Sequence, residues 1–439
     1  MNFLPNLFFT LILIFALYFF VNNICKLIKN ISLGKGIDRS DNKKKRISNM
    51  LRIAFGQSKM VVKPIAGVLH IIVYIGFIII NIELLEIVLD GILGTHRIFA
   101  QYLGKVYNYL IGSFELLALL VLISVISFWI RRNILKIERF WNPEMKNWPK
   151  KDADLILYFE VVIMLLFLLM NSVDFVLQDN SYPGYIKAGF FPVSQFFSPL
   201  FLSFDIDFLV ILERLFWWMH IICILIFLNY LYYSKHLHIL LAFPNTYYAN
   251  LKPKGMFNID GNITKEVKSM MGYEYSNNQD NEISDKFGAS DIFDLNWVQL
   301  MNSYSCTECG RCTSVCPANL TGKKLSPRKI MMDTRDRLEE VGTNIFKNKG
   351  KFVSDNKQLL NDYITKEELW ACTSCNACVE ACPIEIDPLS IIMDMRKYLV
   401  MEKSEAPLDL NNMMSNIENN GGPWPFNNQD RMLWTKEKN

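Results

Sequence analysis

Hydrophobic and polar positions are segregated along this chain. Five runs are long and apolar enough to cross a bilayer, which takes about 20 residues of helix; they cover residues 4–21, 64–89, 106–130, 153–177 and 208–233. The first has no basic residue ahead of it and no small-x-small cleavage site, and KLIKN follows it, so it is expected to be a retained helix and not a secretory signal. A further apolar run, GFFPVSQFFSPLFLSF, is too short and too interrupted by Pro192 and Pro199 to span, and should lie on the outer surface or re-enter the membrane. Beyond HILLAFPNTYYANLKPKG the pattern changes, and YSNNQDNEISDKFGASD has the composition of a solvated linker. From 291 to 403 apolar residues recur at three- and four-residue spacing, with no alternating strand pattern. Helices are predicted over DIFDLNWVQLMNSYS, SPRKIMMDTRDRLEE and PLSIIMDMRKYLV, with Pro317, Pro327, Pro383 and Pro388 at the turns into them. The fold class is therefore all-α. A five-helix transmembrane bundle (1–240) and a polar linker (241–290) precede a cytoplasmic α-helical domain (291–403) and a tail (404–439).

Charge orients the bundle. Lys and Arg concentrate in loops 26–63, with DNKKKRISNMLR, and 131–151, with RRNILKIER and PKK, whereas loops 90–105 and 178–207 are nearly free of them. Positive loops stay inside. The amino terminus then faces out, and everything after Tyr233 lies in the cytoplasm beneath the inner (cytoplasmic) membrane. The net charge is only +3 over 439 residues, 51% of them hydrophobic, so a large core is available and no nucleic-acid partner is indicated.

Eight of the ten cysteines fall in two phrases, CTECGRCTSVCP (306–317) and CTSCNACVEACP (372–383), which is a metal-ligand distribution and not a disulfide framework. Cys25 and Cys223, in apolar stretches, are expected to be small buried hydrophobes. Each phrase has the C-x2-C-x2-C-x3-C-P spacing that holds a [4Fe-4S] cube, in which the fourth cysteine serves the other cluster. Cys306, Cys309, Cys312 and Cys382 are thus assigned to one cubane, and Cys372, Cys375, Cys378 and Cys316 to the second. Structural zinc takes its ligands in pairs and leaves tandem phrases of this spacing unexplained. Clusters that exchange ligands are close neighbours, which makes a wire for single electrons. With a long helical insertion between the phrases, residues 291–403 resemble the α-helical ferredoxin domain of succinate-dehydrogenase iron-sulfur subunits and of the heterodisulfide-reductase family.

All five histidines, His70, His96, His220, His236 and His238, lie in the apolar half. An ionisable group inside a membrane bundle is a functional candidate by default, and histidines on facing helices are how a bundle holds haem iron. His70 near the inner end of the second helix and His238 at the inner end of the fifth are expected to meet across one b haem. His220, eighteen residues before His238, should lie roughly 27 Å away along a helix, near the outer face and beside the interfacial pair Trp217 and Trp218. A second haem there needs another ligand, for which His96 is the candidate, since Gly91 and Gly94 let the chain turn back. His236 is the weaker candidate, its alternative a polar residue at headgroup level. Glu83, Glu86 and Glu115 are candidates either for carrying protons to a quinone or for structural hydrogen bonds. Arg97 is expected at the surface, a haem propionate being its other possible partner.

MHIICILIFLNYLYYSKHLHIL resembles the last helix of the cytochrome b subunit of respiratory nitrate reductase, a five-helix protein with two b haems; the second helix departs from that family in carrying His70 alone. The combination resembles membrane-bound heterodisulfide-reductase-like proteins, including the family thought to pass electrons from electron-transfer flavoprotein to menaquinone. ENNGGPWPFNNQDRMLW resembles the segment that leads there to a module with paired C-C-G motifs, and no C-C-G occurs in this sequence. The resemblance implies a C-C-G-containing subunit docking on residues 411–434 through Trp424, Phe426 and Trp434; a disordered terminus is the alternative. It also implies an electron-transfer subunit of a quinone-linked oxidoreductase, with two [4Fe-4S] clusters, one or two b haems, membrane quinone and a cytoplasmic donor such as electron-transfer flavoprotein. No nucleotide fingerprint is present, so substrate chemistry is expected elsewhere. A quinol-driven disulfide reductase subunit and a haem-free membrane-anchored ferredoxin relay share the same architecture.

Overall fold

The computed structural model describes residues 4–257, 261–273 and 286–436; most of the polar stretch read as a linker, 274–285, lies outside them. Among the described residues the chain is helical, and extended pairing is limited to two isolated bridges, Lys35 with Asn296 and Leu360 with Ile364. Five helices are long and apolar enough to cross a membrane: Leu4–Ile31, Pro64–Leu93, Lys105–Asn133, Trp148–Asp179 and Ile206–Tyr233. The second opens on Pro64, whose missing N–H is unneeded in a first turn, and closes on Gly94 at φ 73°, a left-handed cap that suits glycine. Its Gly76 lets the third helix approach closely, since a Cβ there would lie 2.5 Å from Val121 Cγ2.

The helices pack around Phe9, Ile87, Tyr107, Ile111, Phe114, Phe167, Leu168, Trp217 and Ile221. Trp217 is therefore buried against Phe9, while Trp218 meets Phe8. Leu11, Phe15, Val68, Leu116 and Ile211 stay exposed, as lipid-facing side chains do. Cys25 departs from the expectation of burial: it is exposed on the first helix, while Cys223 is half-buried. GFFPVSQFFSPLFLSF forms two short turns, Ser194–Phe196 and Ser198–Leu200, and buries Phe191, Val193 and Phe201 without spanning.

The fifth spanning segment ends at Tyr233 because Ser234 is extended (φ −117°, ψ 155°), its hydroxyl accepting from the His236 amide at 3.1 Å. His236 consequently lies in a short turn, and His238 opens a separate helix, His238–Tyr247. This corrects the placement of His238 on the fifth helix, and the straight-helix distance to His220 does not apply. It also corrects the start of the linker. Asn245 and Thr246 are fully buried, and Asn245 donates to the Ile384 carbonyl at 2.7 Å and accepts from Asn302 at 3.0 Å.

The helical domain is built on Trp297–Ser305, Pro327–Lys347 and Pro388–Lys397, which start at side-chain caps from Asn296, Ser326 and Asp387. Its core of Leu300, Ile330, Leu338, Ile391 and Met395 runs on without a break into Leu27, Tyr232, Leu237 and Leu241 of the bundle side. The first spanning helix overruns its apolar window for this reason, and Asn30 donates to the Tyr304 hydroxyl at 2.9 Å. Both basic loops meet the same domain: Lys59 pairs with Glu385 at 3.4 Å, and Glu144 with the fully buried Arg328 at 2.7 Å. The tail adds helix Leu408–Asn420, with Trp424, Phe426 and Trp434 each about two-thirds exposed.

Candidate metal centre

The two cysteine phrases adopt the same backbone path. Two residues beyond the first cysteine of each, Glu308 (φ 54°) and Ser374 (φ 57°) are left-handed, and two residues further so are Gly310 (φ 71°) and Asn376 (φ 62°). Such turns aim consecutive amides inward, towards an anionic group; the Ser374 amide donates to Cys372 Sγ at 3.4 Å. Gly310 is additionally crowded, since a Cβ would lie 2.5 Å from Arg328 Nη1. An arginine from the following helix braces each phrase. Arg328 donates to the carbonyls of Glu308 (3.4 Å) and Arg139 (2.6 Å), and Arg396 to those of Cys372 (2.5 Å) and Leu369 (2.6 Å).

Cys306, Cys309 and Cys312 line one cavity together with Cys378 and Cys382 from the other phrase. The Cys382 Sγ also accepts from the Ile386 amide at 3.3 Å. Burial pushes the Cys306 thiol up to about 12 and that of Cys382 up to about 11, with Cys309 adding to both. Around the second phrase, burial raises Cys372 and Cys378, and Cys316 of the first phrase adds to each. Each trio thus has the fourth cysteine of the other phrase as its neighbour. Among the described residues no three His, Cys, Asp or Glu side chains converge on a point where a single ion would sit. Thiols grouped around a space, as at the first phrase, are the donors that a cube of iron and sulfide takes. Crowded buried thiols of raised pKa are poor partners for one another, and bound iron offsets this by taking them as thiolates.

Glu308 carries the first phrase to the membrane side. Its carboxylate is ion-paired with Lys235 and, at 2.9 Å, with Arg335; burial opposes its charge, but the two cations hold it below the usual carboxylate range. The Lys235 carbonyl is 3.0 Å from His238 Nδ1, so that nitrogen donates and Nε2 is left with its lone pair. The ring of His70 stands opposite, with centroids 6.4 Å apart, and its Nδ1 is buried without a hydrogen-bond partner. His236 is 5.4 Å from His238, and its Nε2 is 3.6 Å from Glu160; burial lowers the basicity of both His236 and His238. Arg311, within the first phrase, donates to the Lys59 carbonyl at 3.1 Å and is in electrostatic reach of His70.

The other histidines stand apart from this group. His220 donates through Nδ1 to the Ile163 carbonyl (3.1 Å) and packs on Phe167. His96 faces Asp174 (3.5 Å) and Tyr185. Arg97 is not a surface residue: it is buried and bonded to Asp174, Asn171 and Tyr107, which in turn donates to Glu86. Glu115 accepts from Asn171 and from the amides of Val193 and Ser194, whereas one oxygen of Glu83 is buried without a partner. Sequence reasoning missed Glu308, Lys235, Arg328 and Arg396. Only Glu308 and Arg328 had a local signal, one lying inside a cysteine phrase and the other directly after Pro327.

Residues 305–386 match the 4Fe-4S dicluster domain family. The chain carries an iron-sulfur domain of that kind. Over 98% of its length it is 27% identical to a protein of Bacillus subtilis named "Probable iron-sulfur-binding oxidoreductase FadF", and over 92% it is 26% identical to the "EtfAB:quinone oxidoreductase" of Syntrophomonas wolfei. The matched stretches span 61% and 56% of those two relatives. A third of the chain is 31% identical to 23% of a "Probable membrane-anchored ferredoxin" of Chromohalobacter salexigens. No solved structure matches the chain. The relatives are iron-sulfur redox proteins, and the five long apolar helices agree with a membrane-anchored one.

Proposed function

We propose that this chain is a membrane electron-transfer subunit that carries single electrons between a cytoplasmic redox partner and membrane quinone. The observation that carries this reading is the facing pair His70 and His238, which lies next to the first cysteine phrase. Two metal–nitrogen bonds of about 2 Å each and the half-widths of two imidazoles add to about 6 Å, which suits the 6.4 Å between these ring centroids. The free Nε2 of His238 and the buried, unpartnered Nδ1 of His70 suit haem ligation in the same way. When bound, two [4Fe-4S] clusters and a b haem would supply the one-electron carriers.

The chain's own residues would hold these carriers in order. The crosswise cysteine sets would keep both cubanes in one small domain, with Arg328 and Arg396 bracing their loops and Glu308 and Lys235 tying the first loop to the turn that bears His238. The name of the Syntrophomonas relative supports a quinone-linked oxidoreductase, and that of the Bacillus relative an iron-sulfur-binding one. On the cytoplasmic side the partner is a C-C-G-containing iron-sulfur unit and, through it, a soluble donor such as electron-transfer flavoprotein, with the exposed aromatics of residues 411–434 as the docking segment.

The test is an optical difference spectrum, dithionite-reduced minus air-oxidised, of detergent-purified protein, with haem and iron quantified together. A b-haem band with about eight non-haem irons is expected. Iron-sulfur absorbance without a haem band would overturn the route through His70 and His238 and reduce the bundle to an anchor.

A further inference from the structure

Between the first and second spanning helices lies helix Lys43–Met50, which continues in a wider turn through Leu51–Phe55. One face is docked. Arg46, Asn49, Ile53 and Ala54 are buried; Arg46 donates to the carbonyls of Tyr247 and Ala249 at 3.1 Å, and Asn49 to Thr246 (2.9 Å) and Glu385 (2.7 Å). The opposite face is apolar and open, with Ile47, Leu51 and Phe55 at 45%, 51% and 58% exposure and at the four-residue spacing of one helix stripe.

A helix face turned to water would not carry three large apolar residues in register. Val61 and Val62, and Ile65 and Val68 at the start of the second spanning helix, are exposed as well. The segment ends at Phe55, shortly before the second spanning helix begins at Pro64, which puts it beside the end of that helix. Its rim is basic: Lys43, Lys44 and Arg52 are exposed, and Lys44 and Arg52 flank Ile47, Ser48 and Leu51 on one open helix face. An exposed apolar stripe beside a membrane-spanning helix, flanked by two cations, matches a molecule that is anionic at its head and apolar below.

We propose that this face binds an anionic phospholipid of the adjacent leaflet, its phosphate between Lys44 and Arg52 and an acyl chain against Ile47, Leu51 and Phe55. The lipid would press the helix from the side opposite Asn49 and Glu385, three residues beyond Cys382. Bilayer composition would in this way bear on the docking of the second cysteine phrase.

The test offers delipidated full-length protein in detergent equal amounts of phosphatidylglycerol and phosphatidylcholine, and counts bound lipids by native mass spectrometry. The expected result is preferential retention of phosphatidylglycerol, weakened about fivefold for each cation removed, hence about 25-fold in the variant Lys44→Gln with Arg52→Gln. Unchanged iron-sulfur absorbance confirms that the variant is folded. If it is not, Lys44→Gln alone, at an exposed position, carries the test with its fivefold effect. Equal retention of the two lipids, a variant that binds phosphatidylglycerol as the parent does, or a stripe occupied by a second copy of the chain in place of lipid would each overturn the proposal.

Discussion

Glu308 and Lys235 form a buried ion pair that joins a cysteine phrase to a histidine turn, with side chains only 2% and 10% exposed. Glu308 sits between Cys306 and Cys309, and Lys235 presents its carbonyl to His238 Nδ1 while its ammonium also reaches the Pro149 carbonyl at 2.7 Å. The left-handed backbone at Glu308 is unfavourable for a residue with a Cβ, by an amount of order 1–3 kcal/mol, and its two cationic partners offset that cost. Removing Lys235 leaves Glu308 with Arg335 alone and takes a cation from Asp152. Lys235→Met should therefore destabilise the protein by about 1–3 kcal/mol, and adding Glu308→Met should cost less than its effect in the parent, because the pair it would break is already gone. Thermal unfolding of the single and double variants measures the coupling, and simple additivity of the two would contradict it.

The crosswise assignment makes opposite predictions for two cysteines of the same phrase type. Cys382→Ser should remove the cluster otherwise held by Cys306, Cys309 and Cys312, and Cys316→Ser the one held by Cys372, Cys375 and Cys378. Iron should fall from about eight to about four per chain in each case, and electron paramagnetic resonance of the two variants should lose different signals. Loss of the same signal from Cys382→Ser and Cys378→Ser would mean that each phrase holds its own cube.

His70→Ala and His238→Ala should each abolish the b-haem band while leaving about eight non-haem irons in place. The pyridine haemochrome assay reads the first quantity and iron analysis the second. His96→Ala, at a ring engaged by Asp174 and Tyr185, should keep the band. A band that survives both of the first two substitutions would refute the pairing.

What the sequence made legible follows from the range of the interactions involved. Ligand spacing within a cysteine phrase is a local property, and so is the apolar length of a spanning helix; both were readable residue by residue. The break at Ser234 was hidden because apolar residues continue on either side of it, and a single serine carries no break signal until its hydroxyl is seen to cap the next turn. The burial of Arg97 depends on Asp174, 77 positions away, and the clamp of Glu308 on Lys235 spans 73. Periodicity cannot see such pairs, because their partners meet only when the bundle packs, in the first case, and when the helical domain closes on it, in the second.

Glu144 gives that closure a pH dependence. Burial alone would raise its pKa, but the hydrogen bond and charge of Arg328, together with the Ser326 hydroxyl at 2.7 Å, outweigh it and hold the carboxyl below its ordinary 4.5. A group whose folded pKa is depressed stabilises the fold above its unfolded pKa and loses that contribution as pH falls through the folded value. Below that point Arg328, which has no exposed surface, is left buried without its counter-charge. As pH falls below the ordinary 4.5 and through the lower folded value, the amides of the loop around Glu138–Phe140 and Pro143–Met145 should lose hydrogen-exchange protection. Glu144→Gln should be less stable at neutral pH and lack this step, while acid loss of the clusters continues in both proteins. The difference between the two profiles isolates the carboxylate, and identical profiles would show that Glu144 does not control how the basic loop is held against the first cysteine phrase.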